Sequence, residues 1–177
     1  MIQWTKLQLD TTNFLLNQKA KDTDEAAVFF GETYHAAMKI AADPNKNIVI
    51  IKDVDILIDA WKKVFAVMLD SPRDLKSIPY NIIGAAMIKF WTGALVSPLI
   101  PASGMATGTL NAIVFPGNPV PVGKGIFDAF NKKDAPMVSN ALIKVYKNHA
   151  KTIQGLHTGL TPSTPPAPIV VPWTGLK

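Results

Sequence analysis

The 177-residue chain contains no cysteine, so disulfide frameworks, thiol nucleophiles, paired-cysteine redox chemistry and cysteine-bound zinc are all excluded. Arginine is almost as scarce. Arg73 stands alone beside 17 lysines, whereas phosphate-binding surfaces favour the planar, bidentate guanidinium. The three histidines, His35, His149 and His157, include no pair at ligand spacing, so no metal site is expected. The two glutamates, Glu25 and Glu32, repeat one helix face and do not suggest a catalytic pair. Asp53, Asp55 and Asp59 lack the glycine turn and terminal glutamate of a calcium loop, and read as a helix N-cap with acids at the favourable end of the dipole.

Other catalytic frames are missing too. Ala102-Ser103-Gly104 does not supply the surround of a nucleophile elbow. The stretch from Gly117 to Gly125 has one residue too many before its Gly-Lys, glycine where a magnesium-binding hydroxyl belongs, and two prolines that offer no N–H to phosphate. The expectation is a protein that is not an enzyme, with no cofactor, no metal and no small-molecule substrate. The N-terminus lacks a basic patch followed by an apolar run, so no signal peptide is read there. Ile82–Ile100 is the one span-length apolar window. Lys89 at its middle costs about 2.5–3.5 kcal/mol in a bilayer, and Pro98 interrupts its end, which favours a buried or interface helix.

What is present is an apolar composition, 48% hydrophobic and 18% charged, with 14 prolines and 11 glycines. A chain of this size buries roughly 70% of its unfolded surface and can form one real core. Charge is unevenly placed: residues 1–70 carry eight lysines against ten acids, and residues 71–177 carry ten bases against three. Such polarity steers a polyanion to the basic half, or pairs one half of a subunit with the opposite half of its neighbour.

Periodicity predicts helices. An arm and a short helix occupy the first twenty residues. Asp22 and Glu25 form a capping-box signature before Ala27, Phe30, Tyr34, Ala37 and Met38, and Asp43-Pro44 ends that helix. Ile48–Ile51 reads as a short strand. The stripe Val54, Leu57, Ile58, Trp61, Val64, Phe65 and Met68 marks the clearest helix, closed by Ser71-Pro72. A third helix begins at Ser77 as N-cap and runs to about Val96, apolar nearly all round, which points to a neighbour packed on its second side.

Residues 90–123 carry no formal charge and are rich in proline and glycine, so 98–122 is read as non-helical, with Thr109–Phe115 as a strand. A short helical piece around Ile126–Phe130 and a long helix opening at Asp134-Ala135-Pro136 follow, and Gly155 terminates the latter. The remainder, with Pro162, Pro165, Pro166, Pro168 and Pro172 before Trp173, reads as an extended arm that docks in a groove.

The expected fold is therefore mainly α: four to five helices in one domain over 1–155, an inserted extended loop at about 97–123, and a proline-rich arm at 156–177. The candidate interface residues are Trp91, Phe115, Pro116, Pro165, Pro166, Pro168, Val171 and Trp173. Trp173 is read as the anchor in a neighbour's pocket.

The helix end Asn148-His149-Ala150-Lys-Thr-Ile-Gln-Gly155, passing into Thr158-Gly159 and a tail closing with Pro172-Trp173-Thr174-Gly175-Leu176, resembles small virion structural proteins of tailed phages, particularly contractile-tailed ones. Pro116-Gly-Asn-Pro-Val-Pro121 shares the resemblance. It implies a non-enzymatic assembly subunit of neck, tail or baseplate type, made in the host cytoplasm and resident in the virion. Its partners would be copies of itself or other virion structural proteins. The alternatives are a membrane-associated protein using 82–100 and, third, a nucleic-acid-binding protein.

Overall fold

The computed structural model describes residues 1–17, 20–50, 53–70, 78–97 and 100–177. Ser71-Pro72, Ser77, Ile51 and Pro98 lie outside the described residues. Six helices and five strands are formed: α1 Trp4–Asn17, α2 Thr23–Met38, β1 Ile48–Ile50, α3 Asp55–Asp70, α4 Ile78–Trp91, β2 Leu95–Ser97, β3 Thr107–Phe115, α5 Pro119–Phe130, α6 Ala135–Thr152, β4 Gln154–Leu160 and β5 Pro168–Thr174.

The helices begin where side chains satisfy free backbone N–H groups. Asp22 Oδ1 accepts from Glu25 N at 2.8 Å, and the Glu25 carboxylate turns back to accept from Lys21 N. Asp134 Oδ1 accepts from Met137 N at 2.8 Å, with Pro136 in the first turn. Each helix packs on the next, α1 on α2 through to α5 on α6, and α6 returns to α1, so the six close a ring. Its centre is aromatic. Phe30 of α2 lies within 5.4 Å, between ring centroids, of Trp61 of α3 and Phe130 of α5, and Tyr34 meets Tyr146 of α6 at 4.8 Å.

Helix α4 does not need a neighbouring molecule for its second side. It lies between α3 and α5 of its own chain, and Gly84 and Gly123 let α4 and α5 approach backbone to backbone, since a Cβ at either would strike a carbonyl of the other helix. No helix among the described residues is long and apolar enough to cross a membrane.

The strands form one antiparallel sheet in the order β1-β2-β3-β4-β5. The expectation of a mainly α chain is thereby corrected: the fold is mixed, with a helical ring over one face of a five-stranded sheet. Side chains of that inner face, Val49, Val96, Ile113 and Trp173, belong to the same hydrophobic core as the helices. The segment read as an extended arm docking in a neighbour's groove, 156–177, supplies most of β4 and all of β5 of its own sheet. Its end is tied down by backbone bonds from Gly175 N to Ile153 O and Leu176 N to Ala150 O, and Lys177 and Ala42 exchange both of theirs.

The segment read as an extended loop, 97–123, holds the whole of β3 and the start of α5. Prolines 119 and 121 open α5 where N–H groups have no helical partner, and Asn118 caps it by accepting from Val120 N at 3.0 Å. Proline density thus marked a helix start where an extended chain was expected.

Candidate interaction surface

Strand pairing decides which side chains face the helices. In β4 the inner positions are Gly155, His157 and Gly159, all buried. Each is flanked across the strands, Gly155 by Ile113 and Trp173, His157 by Asn111 and Val171. A Cβ at Gly155 would collide with the six-membered ring of Trp173, so the glycine is what lets the indole lie across β4.

Beneath this face sits a buried polar cluster. Asp43 is buried and accepts three hydrogen bonds, from Asn47 N and Asn47 Nδ2, each at 2.9 Å, and from Asn111 Nδ2. Asn111 Oδ1 accepts from Trp173 Nε1 at 2.7 Å. The Asn47 amide grips the backbone of Ile100, accepting from its N–H and donating to its C=O. Strands β3 and β5, the 43–47 turn and the start of the 100–106 loop are therefore one hydrogen-bonded unit. Lys46 holds a left-handed conformation, φ 71°, in that turn. His157 is fully buried beside it, and neither ring nitrogen meets a partner among the described residues.

The opposite face of the sheet is open. The register Ile50–Leu95–Ala112–Leu156–Pro172 places one apolar row across all five strands. Leu110–Thr158–Val170 and Thr107–Leu160–Pro168 are two further rows, in which apolar side chains stand beside threonine. None of the five strands contains Asp, Glu, Lys or Arg. Val170 is 54% exposed, Leu110 49% and Ile48 45%, so none of the described residues covers them. An antiparallel sheet with one solvated face normally alternates apolar inward with polar outward, and here Ile, Leu, Val and Pro outnumber the uncharged polar residues Ser97, Thr107, Gln154, Thr158 and Thr174 on the outer face. Strand spacing and rise give the face roughly 400 Å² in plan, comparable to the largest apolar patch of an ordinary monomer, which is often functional.

The edge at β5 is blunted against strand addition. Proline cannot donate, so Pro168 and Pro172, opposite Leu160 and Leu156, occupy pairs in which the residue's N–H position points away from β4, and the free edge lacks donors there. Contact with another molecule is thereby directed to the face.

A second concavity of about 300 Å³ lies where β3, α5 and α6 meet, lined by Phe115, Pro121, Val122, Val145, His149 and Thr152 among others. His149 Nε2–H donates to Pro116 O at 2.7 Å, since a carbonyl only accepts, which leaves Nδ1 as an unpartnered lone pair. Burial holds the His149 pKa below the usual imidazole value, against the opposing effect of the Pro116 hydrogen bond.

The residues expected at an interface separate into three groups. Trp91 and Trp173 are in the chain's own core, Trp91 Nε1 donating at 3.0 Å to Tyr34 Oη, whose burial raises that hydroxyl far above the phenol range. Trp173 is therefore not an anchor held out to a neighbour. Val171 is half-buried on the inner face beside His157, and Pro116 is half-buried under its bond to His149. Phe115, Pro165, Pro166 and Pro168 are exposed, Phe115 at the cavity and Pro165 and Pro166 in the β4–β5 connection. Sequence reasoning missed the outer-face side chains Ile48, Ile50, Leu95, Leu110, Leu160 and Val170.

Comparison with protein-family models, curated proteins and solved structures gives no match for this chain.

Proposed function

We propose that the chain is a non-enzymatic assembly subunit of a tailed-phage particle, of neck, tail or baseplate type. It joins the particle by laying the outer face of its sheet on an uncharged apolar surface of another structural protein there. The observation that carries this reading is the charge-free, largely apolar face presented by all five strands. Nucleic acid finds no counter-charge on such a face, and the prolines of β5 turn away a partner that would extend the sheet by its edge. Burying the face removes apolar area from water at about 25 cal/mol per Å², and the tightly bonded inner layer presents it without further ordering cost. The resemblance of the last forty residues to virion proteins supplies the setting.

The test is a Leu110→Lys, Val170→Lys double variant. Both side chains are exposed in the free chain, so the fold is retained, and incorporation into particles falls by more than about tenfold, because two charges enter an apolar contact. Normal incorporation of a folded variant would refute the proposal.

A further inference from the structure

The chain has 18 basic and 13 acidic side chains, yet only two ion pairs form among the described residues, Lys6 with Asp10 at 2.7 Å and Lys62 with Asp24 at 3.2 Å. The remaining charge is sorted by position in the helix ring. Residues 22–38 and 53–68, which cover α2 and most of α3 with their leading caps, carry seven carboxylates against Lys62 and Lys63. Residues 119–152, α5 and α6, carry six lysines against Asp128 and Asp134. Glu32, Asp55 and Asp59 on one side, and Lys144, Lys147 and Lys151 on the other, are all exposed. In the ring order α2–α3 lies across from α5–α6, with α1 and α4 between them. The domain therefore has an acidic pair of helices and a basic pair of helices, separated in the ring by α1 and α4, and the Lys62–Asp24 bridge neutralises only part of the acidic pair.

We infer that a second copy of this chain docks head to tail, its α2–α3 side against the α5–α6 side of the first. This deepens the assembly reading, on which it rests, but uses a surface separate from the sheet face, which stays free for a different structural protein. When the acidic helix pair of one copy meets the basic helix pair of the next, the contact is heterologous, and such contacts repeat into rings or filaments. Val120 and Met137, both exposed on α5 and α6, give the basic side apolar area within its charged surround. A polyanion would engage only the lysines and leave the acidic side without a counterpart, whereas a second copy satisfies both.

The experiment is light scattering behind a sizing column on the full chain at about 50 mM and about 500 mM salt, either side of the ionic strength at which screening extends about 8 Å. Association is expected at low salt and dissociation at high salt. Lys144→Glu, Lys147→Glu, Lys151→Glu makes both sides acidic, and Glu32→Lys, Asp55→Lys, Asp59→Lys makes both sides basic. Each variant alone is expected to lose self-association at least about tenfold, as like charges then meet, and an equimolar mixture of the two is expected to recover it. Glutamine replacements at the same six positions weaken association without repulsion and serve wherever a reversed variant fails to fold.

A monomer at low salt, unchanged association of the folded variants, or a mixture that stays monomeric would overturn the inference. So would a mass that rises only when duplex DNA is added. The Leu110→Lys, Val170→Lys variant separates this result from the function proposed above, because it loses incorporation while keeping the salt-dependent mass.

Discussion

Trp173 on β5 donates its indole N–H to the side-chain oxygen of Asn111 on β3, 2.7 Å away, across the whole width of β4. The reach is open because residue 155 between them is glycine. Asn111 passes the connection to Asp43, and Asp43 to Asn47, so the last strand of the chain is bonded to a turn more than a hundred residues earlier. Together with the β4–β5 ladder and the backbone bonds of Gly175, Leu176 and Lys177, this holds the terminal segment in the fold.

Gly155→Ala puts a methyl group where the indole lies and is expected to cost about 1–3 kcal/mol by overpacking. Trp173→Ala is expected to cost about 3–5 kcal/mol. The two are coupled: in a Trp173→Ala background the Gly155→Ala cost shrinks towards zero, because the clash has gone. Urea unfolding of the four proteins checks this. Additive effects would show that the glycine does not make room for the tryptophan.

Asp43→Asn is close in shape but replaces one acceptor oxygen with a donor, in a site where the neighbours present Asn47 N–H, Asn47 Nδ2–H and Asn111 Nδ2–H. The expected cost is about 1–3 kcal/mol, from donors left facing each other out of water. A variant with the stability of the parent would mean that the carboxylate is not the centre of this cluster.

His149 gives a pH dependence of known sign. Its folded pKa lies below the ordinary value of 6.5 because it is buried, so the unfolded chain binds a proton that the folded chain refuses. Stability attributable to His149 is full above about pH 6.5 and declines as pH falls below it, until the folded pKa is reached. His35 is shifted the same way by burial and by Lys39, with Glu32 opposing, and adds to the trend. His149→Gln is expected to be less sensitive between pH 7 and pH 5 than the parent, and equal slopes in chemical denaturation would contradict the assignment.

Pro168→Val with Pro172→Val restores N–H donors at the free edge of β5. The expected result is pairing between edges, seen as turbidity or high-mass species at concentrations where the parent stays clear. A variant as well behaved as the parent would show that the prolines do not guard that edge.

Much of the helical layer is legible in the sequence. The Asp22 and Glu25 capping signature, the Leu57–Trp61–Val64 stripe and the Asp134-Ala135-Pro136 opening each find their helix, and Ile48–Ile50 and Thr109–Phe115 find their strands. The last two strands are hidden for a physical reason. In β4 the inner positions are glycine, histidine and glycine, so the usual apolar alternation is absent, although Gly155-x-His157-x-Gly159 keeps a period of two that suits a strand under close-packed neighbours. In β5 prolines 168 and 172 suggest an unpaired arm, whereas at an edge they cost no ladder bond. Trp91 and Trp173 show a further limit, since an apolar side chain declares that it will be buried but not in which molecule. The open face could be seen only once the register had placed Ile50, Leu95, Ala112, Leu156 and Pro172 side by side.

The central claim is that this face is covered in an assembled particle, and the oxidative footprint of Leu95, Leu110 and Val170 in the free chain and in purified particles tests it most directly. The account predicts that all three are reactive in the free protein and strongly protected in the particle, with the buried Trp61 unreactive in both. Equal reactivity of the three side chains in the two states, or particles that lack the chain, would contradict it.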